Sequence, residues 1–208
     1  LSSSSQVPNF TIMLKENPFA TIRSETGQGN TVKSYQWYMK RIRELGLNKI
    51  KPRTALTSPI GELVSTVRWG DMYLFMYDPE NKNKLPYYDM FPLVIPFRVV
   101  KGGFLGLNLH YLPPLLRMKL LGRLTKLADT PTLSDATRLR MTWNIIKNVG
   151  RFPEVRPCVK RYNLPFVRSR FLKINPEDWK AAILLPIETF QNATKTTVFQ
   201  RSEEIIDG

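Results

Sequence analysis

The sequence predicts an α+β fold: a small, mainly antiparallel sheet or partial barrel over Val64–Leu112, covered by a helical hairpin, with extended terminal arms. Three observations carry this. Gly70–Pro113 has the densest apolar and aromatic content in the chain and reads as three strands, Met72–Tyr77, Leu93–Val100 and Phe104–Leu112. Lys101-Gly102-Gly103 marks a hairpin between the last two, because glycine supplies the positive φ that a tight turn needs. Two helical patterns follow, Pro114–Ala128 and Ser134–Val149, and their short link makes them an antiparallel pair able to lie on a sheet.

Taken in order, residues 1–30 read as an extended arm. They are rich in Ser and Thr, carry Pro8 and Pro18, and end at Gly27-Gln28-Gly29. Ile12, Leu14, Phe19 and Ile22 are too few for a core of their own, so the arm is expected to dock on a neighbouring chain. Its start, Leu1-Ser2-Ser3-Ser4-Ser5, has neither the basic residues nor the apolar run of a signal peptide, and lacks an initiator Met, as a processed or truncated start would. Residues 31–190 form the predicted domain. Ser34–Leu45 is a helix: Tyr35, Tyr38, Ile42 and Leu45 share a face, Ser34 caps it and Gly46 stops it. Ile50–Arg68 is a connection, with a short strand at Val64–Val67.

In the third sheet strand, Phe104, Gly106, Asn108 and His110 alternate with Leu105, Leu107, Leu109 and Tyr111, so the two sets face opposite ways. The helix from Pro114 carries the stripe Leu116, Leu120, Leu124 and Leu127, widened by Leu115 and Leu121. Leu139, Trp143 and Ile146 make the face of the next helix. Arg151–Pro165, with three prolines, reads as irregular, and Val167–Ile174 as an edge strand. Asn175-Pro176-Glu177-Asp178 starts a short helix, with a cap, a first-turn proline and two acids that the helix dipole favours. Residues 191–208 are polar and read as a C-terminal tail.

Composition narrows the chemistry. There are 31 Lys and Arg against 17 Asp and Glu, a net charge of +14. Such a field favours polyanions or acidic partners. One cysteine, Cys158, excludes an internal disulfide and any Cys-based zinc site, and one histidine, His110, excludes a poly-His metal site. The chain holds no apolar run of membrane-spanning length. No cofactor is expected, since neither a Walker loop nor a dinucleotide fingerprint is present.

Two catalytic arrangements are conceivable and both are disfavoured. His110 and Cys158 could pair as base and nucleophile, but neither stands in a nucleophile elbow or oxyanion loop. Asp71, Asp78, Glu80 and Asp89 could serve a metal-dependent nuclease, but Asp78 and Asp89 sit in turn contexts where Asp accepts backbone N–H groups. A non-enzymatic protein is expected.

The candidate binding residues are therefore basic. Arg138–Lys173 contains ten Lys and Arg against one acid, and Lys33–Arg53 seven against one. From these stretches Lys40, Arg41, Arg43, Arg138, Arg140, Arg151, Arg156, Lys160, Arg161, Arg168, Arg170 and Lys173 are singled out. Phe152, Tyr162 and Phe166 are interleaved with them, as stacking on bases or burial in a partner would require. A merely solvated face is the competing reading.

The strings YDPENKNKLPYYDMFPLVIPF, GGFLGLNLHYLPPLLR and RPCVKRY resemble a small virion-associated protein family of large contractile-tailed bacteriophages. The resemblance covers roughly Gly70–Pro186, with weaker similarity back to the Ser34 helix. It implies a structural virion protein, assembled in the host cytoplasm and held in the tail or baseplate by contacts with other virion proteins bearing acidic surfaces. The alternative it implies is a DNA-binding protein that protects packaged DNA ends. It carries over no catalytic residue.

Overall fold

Residues 17–26, 33–125 and 152–208 of the computed structural model are described here. Eight strands occur among them: β1 (Gly61–Val64), β2 (Met72–Leu74), β3 (Tyr88–Asp89), β4 (Leu93–Val100), β5 (Gly103–Asn108), β6 (Val159–Asn163), β7 (Phe171–Ile174) and β8 (Phe190–Gln191). Six of them form one antiparallel sheet in the order β1-β7-β2-β4-β5-β6, and β3 pairs with β8 apart from it. The helices are α1 (Ala20–Thr26), α2 (Tyr35–Glu44), α3 (Pro52–Thr57), α4 (Pro114–Thr125), α5 (Trp179–Ala182) and α6 (Lys195–Asp207). The α+β class and the mainly antiparallel sheet agree with the sequence reading.

The sheet is strongly curled but not closed. The rings of Phe104 on β5 and Phe171 on β7 lie 6.4 Å apart although β4 and β2 intervene. In a flat sheet three strand spacings would separate their positions by about 14 Å. The concave face thus gathers Tyr73, Phe75, Tyr77, Val94, Phe104, Tyr162 and Phe171 into one aromatic core. Phe75 meets Tyr162 edge-on at 5.2 Å and Phe171 at 5.1 Å, a favoured aromatic geometry. The other face carries Leu93, Ile95, Leu107 and Leu172 into a larger core covered by the helices. The alternation expected along the third strand holds from Phe104 to Asn108. Beyond it the chain turns into a 3-10 segment, Leu109–Tyr111, because the Asn108 side chain accepts the His110 N–H and replaces the next ladder bond.

The expected hairpin is present with a two-residue turn, Val100 pairing with Gly103. The two glycines serve different needs. Gly102 has φ +77°, which a side chain tolerates poorly, whereas a Cβ on Gly103 would stand 1.9 Å from the Tyr162 carbonyl oxygen. Gly103 is the point where β6 comes close to β5.

Several expectations are corrected. The short strand near Val64 is Gly61–Val64, displaced toward the N-terminus by its pairing with β7. The stretch read as irregular contains β6, which completes the sheet beside β5. β7 is not an edge strand, since β1 and β2 pair with its two sides. Leu115 is exposed rather than part of the α4 stripe, while Arg117 is fully buried. The polar end of the chain forms a thirteen-residue helix, α6, capped by the Thr194 hydroxyl and burying Val198. Part of the expected arm belongs to the domain: Phe19 and Ile22 are buried in the larger core, and Arg23 pairs with buried Asp178 at 2.6 Å. The rest of the arm at 1–16 and the helix expected at Ser134–Val149 lie outside the described residues. α2 is as expected, with the Ser34 hydroxyl accepting the Trp37 N–H and Gly46 left-handed.

Candidate nucleic-acid interface

β6 forms the outer strand of the sheet, and the segment from Tyr77 to Tyr88 runs past its exposed side. That segment is pinned rather than free. The Asp78 N–H donates to the Phe166 carbonyl at 3.0 Å, Lys82 pairs with the Asp78 carboxylate at 2.9 Å, and Asn192 donates to the carbonyls of Lys82 and Leu85 at 3.2 and 3.3 Å. Between segment and strand lies a cleft of about 330 Å³ whose lining includes Tyr77, Tyr88, Tyr111, Tyr162, Lys160 and Arg161. This is within the range of small-ligand pockets, roughly 300–1,000 Å³.

Among the described residues, Lys160 is the one lysine in the lining. Its Nζ lies 4.0 Å from the centre of the Tyr111 ring, a cation–π contact. No carboxylate among the described residues pairs with it. Burial of its stem lowers its pKa, since desolvation disfavours the charged form. Its neighbour Arg161 donates to the Lys101 carbonyl at 2.9 Å and to the Asn163 side chain at 3.0 Å. Carbonyl and amide partners orient a guanidinium without neutralising it.

The floor is a fully satisfied carboxylate. Asp89 Oδ1 accepts the N–H groups of Phe91 at 3.1 Å and Thr189 at 3.0 Å. Its Oδ2 accepts from the Asn108 side chain at 3.2 Å and sits 2.7 Å from His110 Nδ1. The same Asn108 amide nitrogen donates to the Tyr162 hydroxyl at 3.1 Å. Behind the floor, buried Arg117 donates to the carbonyls of Leu112 at 2.6 Å, Ile183 at 3.0 Å and His110 at 3.2 Å, and pairs with Glu188 at 3.1 Å. Lys195 also reaches Glu188, at 2.9 Å. These bonds fix the 3-10 segment that carries Tyr111 and so fix the ring under Lys160.

The expected basic residues are not all brought together. Lys160 and Arg161 reach the cleft. Arg168 lies close by in the chain before β7, 5.9 Å over the Phe166 ring and 4.0 Å from Asp78. Arg170 is exposed and donates to the Leu63 carbonyl at 2.6 Å. Arg156 is exposed on the 3-10 segment preceding β6. Lys173 is drawn off to Asp71 at 3.4 Å. Lys40, Arg41 and Arg43 stand on α2, over the larger core rather than the aromatic one. There Lys40 and Arg41 both pair with Glu44, and Arg41 also pairs with Glu25. Arg138, Arg140 and Arg151 lie outside the described residues. Of the interleaved aromatics, Tyr162 belongs to the buried core, while Phe152 and Phe166 stay partly exposed under Arg123 and Arg168. The sequence reading missed Tyr77, Tyr88 and Tyr111, whose only local signal is the clustering of tyrosine around Tyr87-Tyr88.

The Cys158 thiol donates to the Glu154 carbonyl at 3.3 Å, and burial pushes its pKa up to about 12, away from a nucleophilic thiolate. Of the four carboxylates, Asp71 faces Lys173 and Asp78 faces Lys82, while Asp89, held in hydrogen bonds, and Glu80, exposed to solvent, both line the cleft. No group of three or more His, Cys, Asp or Glu able to hold a metal occurs among the described residues. No helix among them is long and apolar enough to cross a membrane.

The profile of the phage T4 terminal DNA protecting protein family matches residues 14–203, which includes both cores, the cleft and most of α6. No curated protein and no solved structure matches the chain.

Proposed function

The chain belongs to the family of the phage T4 terminal DNA protecting protein, and from that premise we propose that it is a phage virion protein that binds and shields DNA ends. It does so by occupancy, without catalysis. The family's description favours this reading over a purely structural place in the tail or baseplate.

The match over residues 14–203 is the observation that carries the proposal. The charge distribution supports it. Most of the acids in the described residues are spent on internal partners: Glu25 and Glu44 on Arg41, Asp71 on Lys173, Asp78 on Lys82, Glu177 and Asp178 on Arg23, Glu154 on Arg123, and Glu188 on Arg117 and Lys195. Arg156, Lys160, Arg161 and Arg170 have no carboxylate partner among the described residues and keep their charge for an external anion. Carbonyl-anchored guanidiniums are well placed to take phosphate oxygens, which are recognised through planar, bidentate donors. Among the described residues no helix presents side chains from this surface to a groove, and the contacts proposed here position the protein without reading sequence. Other virion proteins with acidic surfaces are the second class of partner proposed for the same cations.

The test is the affinity of the isolated protein for linear duplex DNA across a range of salt. Log affinity should fall with log salt by about 0.9 for each phosphate contacted, and little between sequences of different composition. Binding that is absent at low salt would overturn the reading. Incubation with Mg²⁺ or Mn²⁺ should leave the DNA intact, and metal-dependent cleavage would overturn the non-enzymatic part alone.

A further inference from the structure

We propose that the cleft between β6 and the Tyr77–Tyr88 segment receives a single unpaired nucleotide at a DNA terminus, with its phosphate on Lys160. The inference rests on the DNA-end reading above and names the group that would distinguish an end from the interior of a duplex. Lys160 supplies the first reason. Its stem is packed, its ammonium lies on the Tyr111 ring 4.0 Å away, and no carboxylate among the described residues neutralises it. A cation held this way in a cleft is placed to receive an anion.

The walls supply the second reason. Tyr77, Tyr88, Tyr111 and Tyr162, with Leu85 and Pro79, give an aromatic and apolar lining, and Asn81 and Asn163 add amide groups at the mouth. An apolar aromatic surface for a base, amides for its hydrogen-bonding edge and one ammonium for its phosphate are the three complements of a nucleotide. The two acids in the lining do not cancel the cation. Glu80 is exposed to solvent, and both Asp89 oxygens are occupied by donors below the floor. Arg161 is a second cation in the lining.

Size supplies the third. A cleft of about 330 Å³ suits one nucleotide, not a double helix. A base paired inside a duplex reaches such a site only by being flipped out, at a cost of a few kcal/mol, whereas an unpaired terminal base pays least. End preference then follows without any base-specific contact.

The experiment compares two DNAs of one sequence by fluorescence anisotropy at fixed salt: a linear duplex with unpaired terminal nucleotides, and a covalently closed circular duplex, which has no unpaired nucleotide. The proteins are wild type, Lys160→Met, which keeps the stem over Tyr111 and removes the charge, and Leu85→Trp, which enlarges an exposed side chain of the lining. Thermal unfolding checks that each variant is folded, and Leu85→Trp carries the test alone if Lys160→Met is not. The wild type should prefer the open-ended DNA at least tenfold; each folded variant should lose that preference, and Leu85→Trp, which removes no charge, should still bind the closed circle within about twofold of wild type. A deoxynucleoside monophosphate should compete for the open-ended DNA more strongly than the deoxynucleoside or inorganic phosphate. Wild-type binding that is equal for the two DNAs, or folded variants that keep the preference, would overturn the cleft proposal and leave general DNA binding standing. Wild-type binding to neither DNA would overturn the function itself.

Discussion

Lys160 Nζ lies 4.0 Å from the centre of the Tyr111 ring, although the two residues belong to different segments of the chain. Lys160 is on β6, opposite Gly106 of β5, and Tyr111 is in the turn that follows β5. Whatever holds β6 against β5 therefore holds the cation in the cleft, and whatever holds the Leu109–Tyr111 turn holds the ring beneath it.

The close approach at Gly103 is the first point of attack. A valine there would drive its Cβ into the Tyr162 carbonyl, with 1.9 Å between them, and backbone must move to relieve it. A Cβ on Gly102 meets no atom within 4 Å, so the cost of Gly102→Val is set by the strain of φ +77°, about 1–3 kcal/mol. Urea unfolding should rank Gly103→Val as the more destabilised of the two, and should show it losing DNA binding because β6 carries Lys160 and Arg161. Equal stability of both variants and the wild type would show that β6 does not pack as described.

Removing the N-terminal contribution should damage the domain itself. Phe19 is fully buried in the larger core and Ile22 nearly so. Phe19→Ala should cost about 3–5 kcal/mol and Ile22→Ala about 2–5 kcal/mol. Denaturant midpoints unchanged by both would return this segment to the status of a detachable arm.

Acid should loosen the support behind the cleft floor. Burial, the largest single influence on Glu188, pushes its pKa up, but Arg117, His110 and Lys195 together outweigh it and bring the carboxyl from 4.5 down to about 2. A carboxylate depressed on folding contributes stability that is complete above its unfolded value. That contribution is lost as pH falls from about 4.5 through about 2 and amounts to a few kcal/mol at most. Unfolding free energy followed over that window should fall for the wild type and be flatter for Glu188→Gln. Parallel curves would remove Glu188 from the network.

Arg168 and Arg170 bear on the wider basic surface. If both meet phosphate, replacing them with Ala should reduce the slope of log affinity against log salt by up to about two and weaken all DNA sequences alike. If they face an acidic virion subunit instead, DNA binding should hardly change and docking to that subunit should weaken. No change in either measurement would leave them as solvated charges.

How much of this was legible in the sequence depended on whether the cause was local. The Ser34 helix, the Gly102 turn and the alternation along Phe104–Asn108 are set by caps, φ and period, and each is present as read. β6 was not legible: Val159–Asn163 is a polar run between prolines, and its strand character comes from β5 alongside. α6 was missed for a related reason, since its polar face dominates the local composition and Val198 is its one buried large apolar residue. The cleft was only half legible. Charge density pointed to Lys160 and Arg161, but the tyrosines come from distant segments that meet because the sheet curls. The curl follows from the packing of Phe75, Phe104, Tyr162 and Phe171, which no local period reveals.

Protection from an exonuclease tests the account most directly. Linear duplex DNA and a nicked circle of the same sequence are digested by an enzyme that attacks both termini and nicks, with and without saturating protein. The account predicts that the protein slows digestion of the linear DNA severalfold, slows the nicked circle much less, and loses the effect when Arg156, Lys160, Arg161 and Arg170 are replaced together in a protein that remains folded. Equal digestion of the linear DNA in its presence and absence would contradict the assignment of DNA-end protection to this chain.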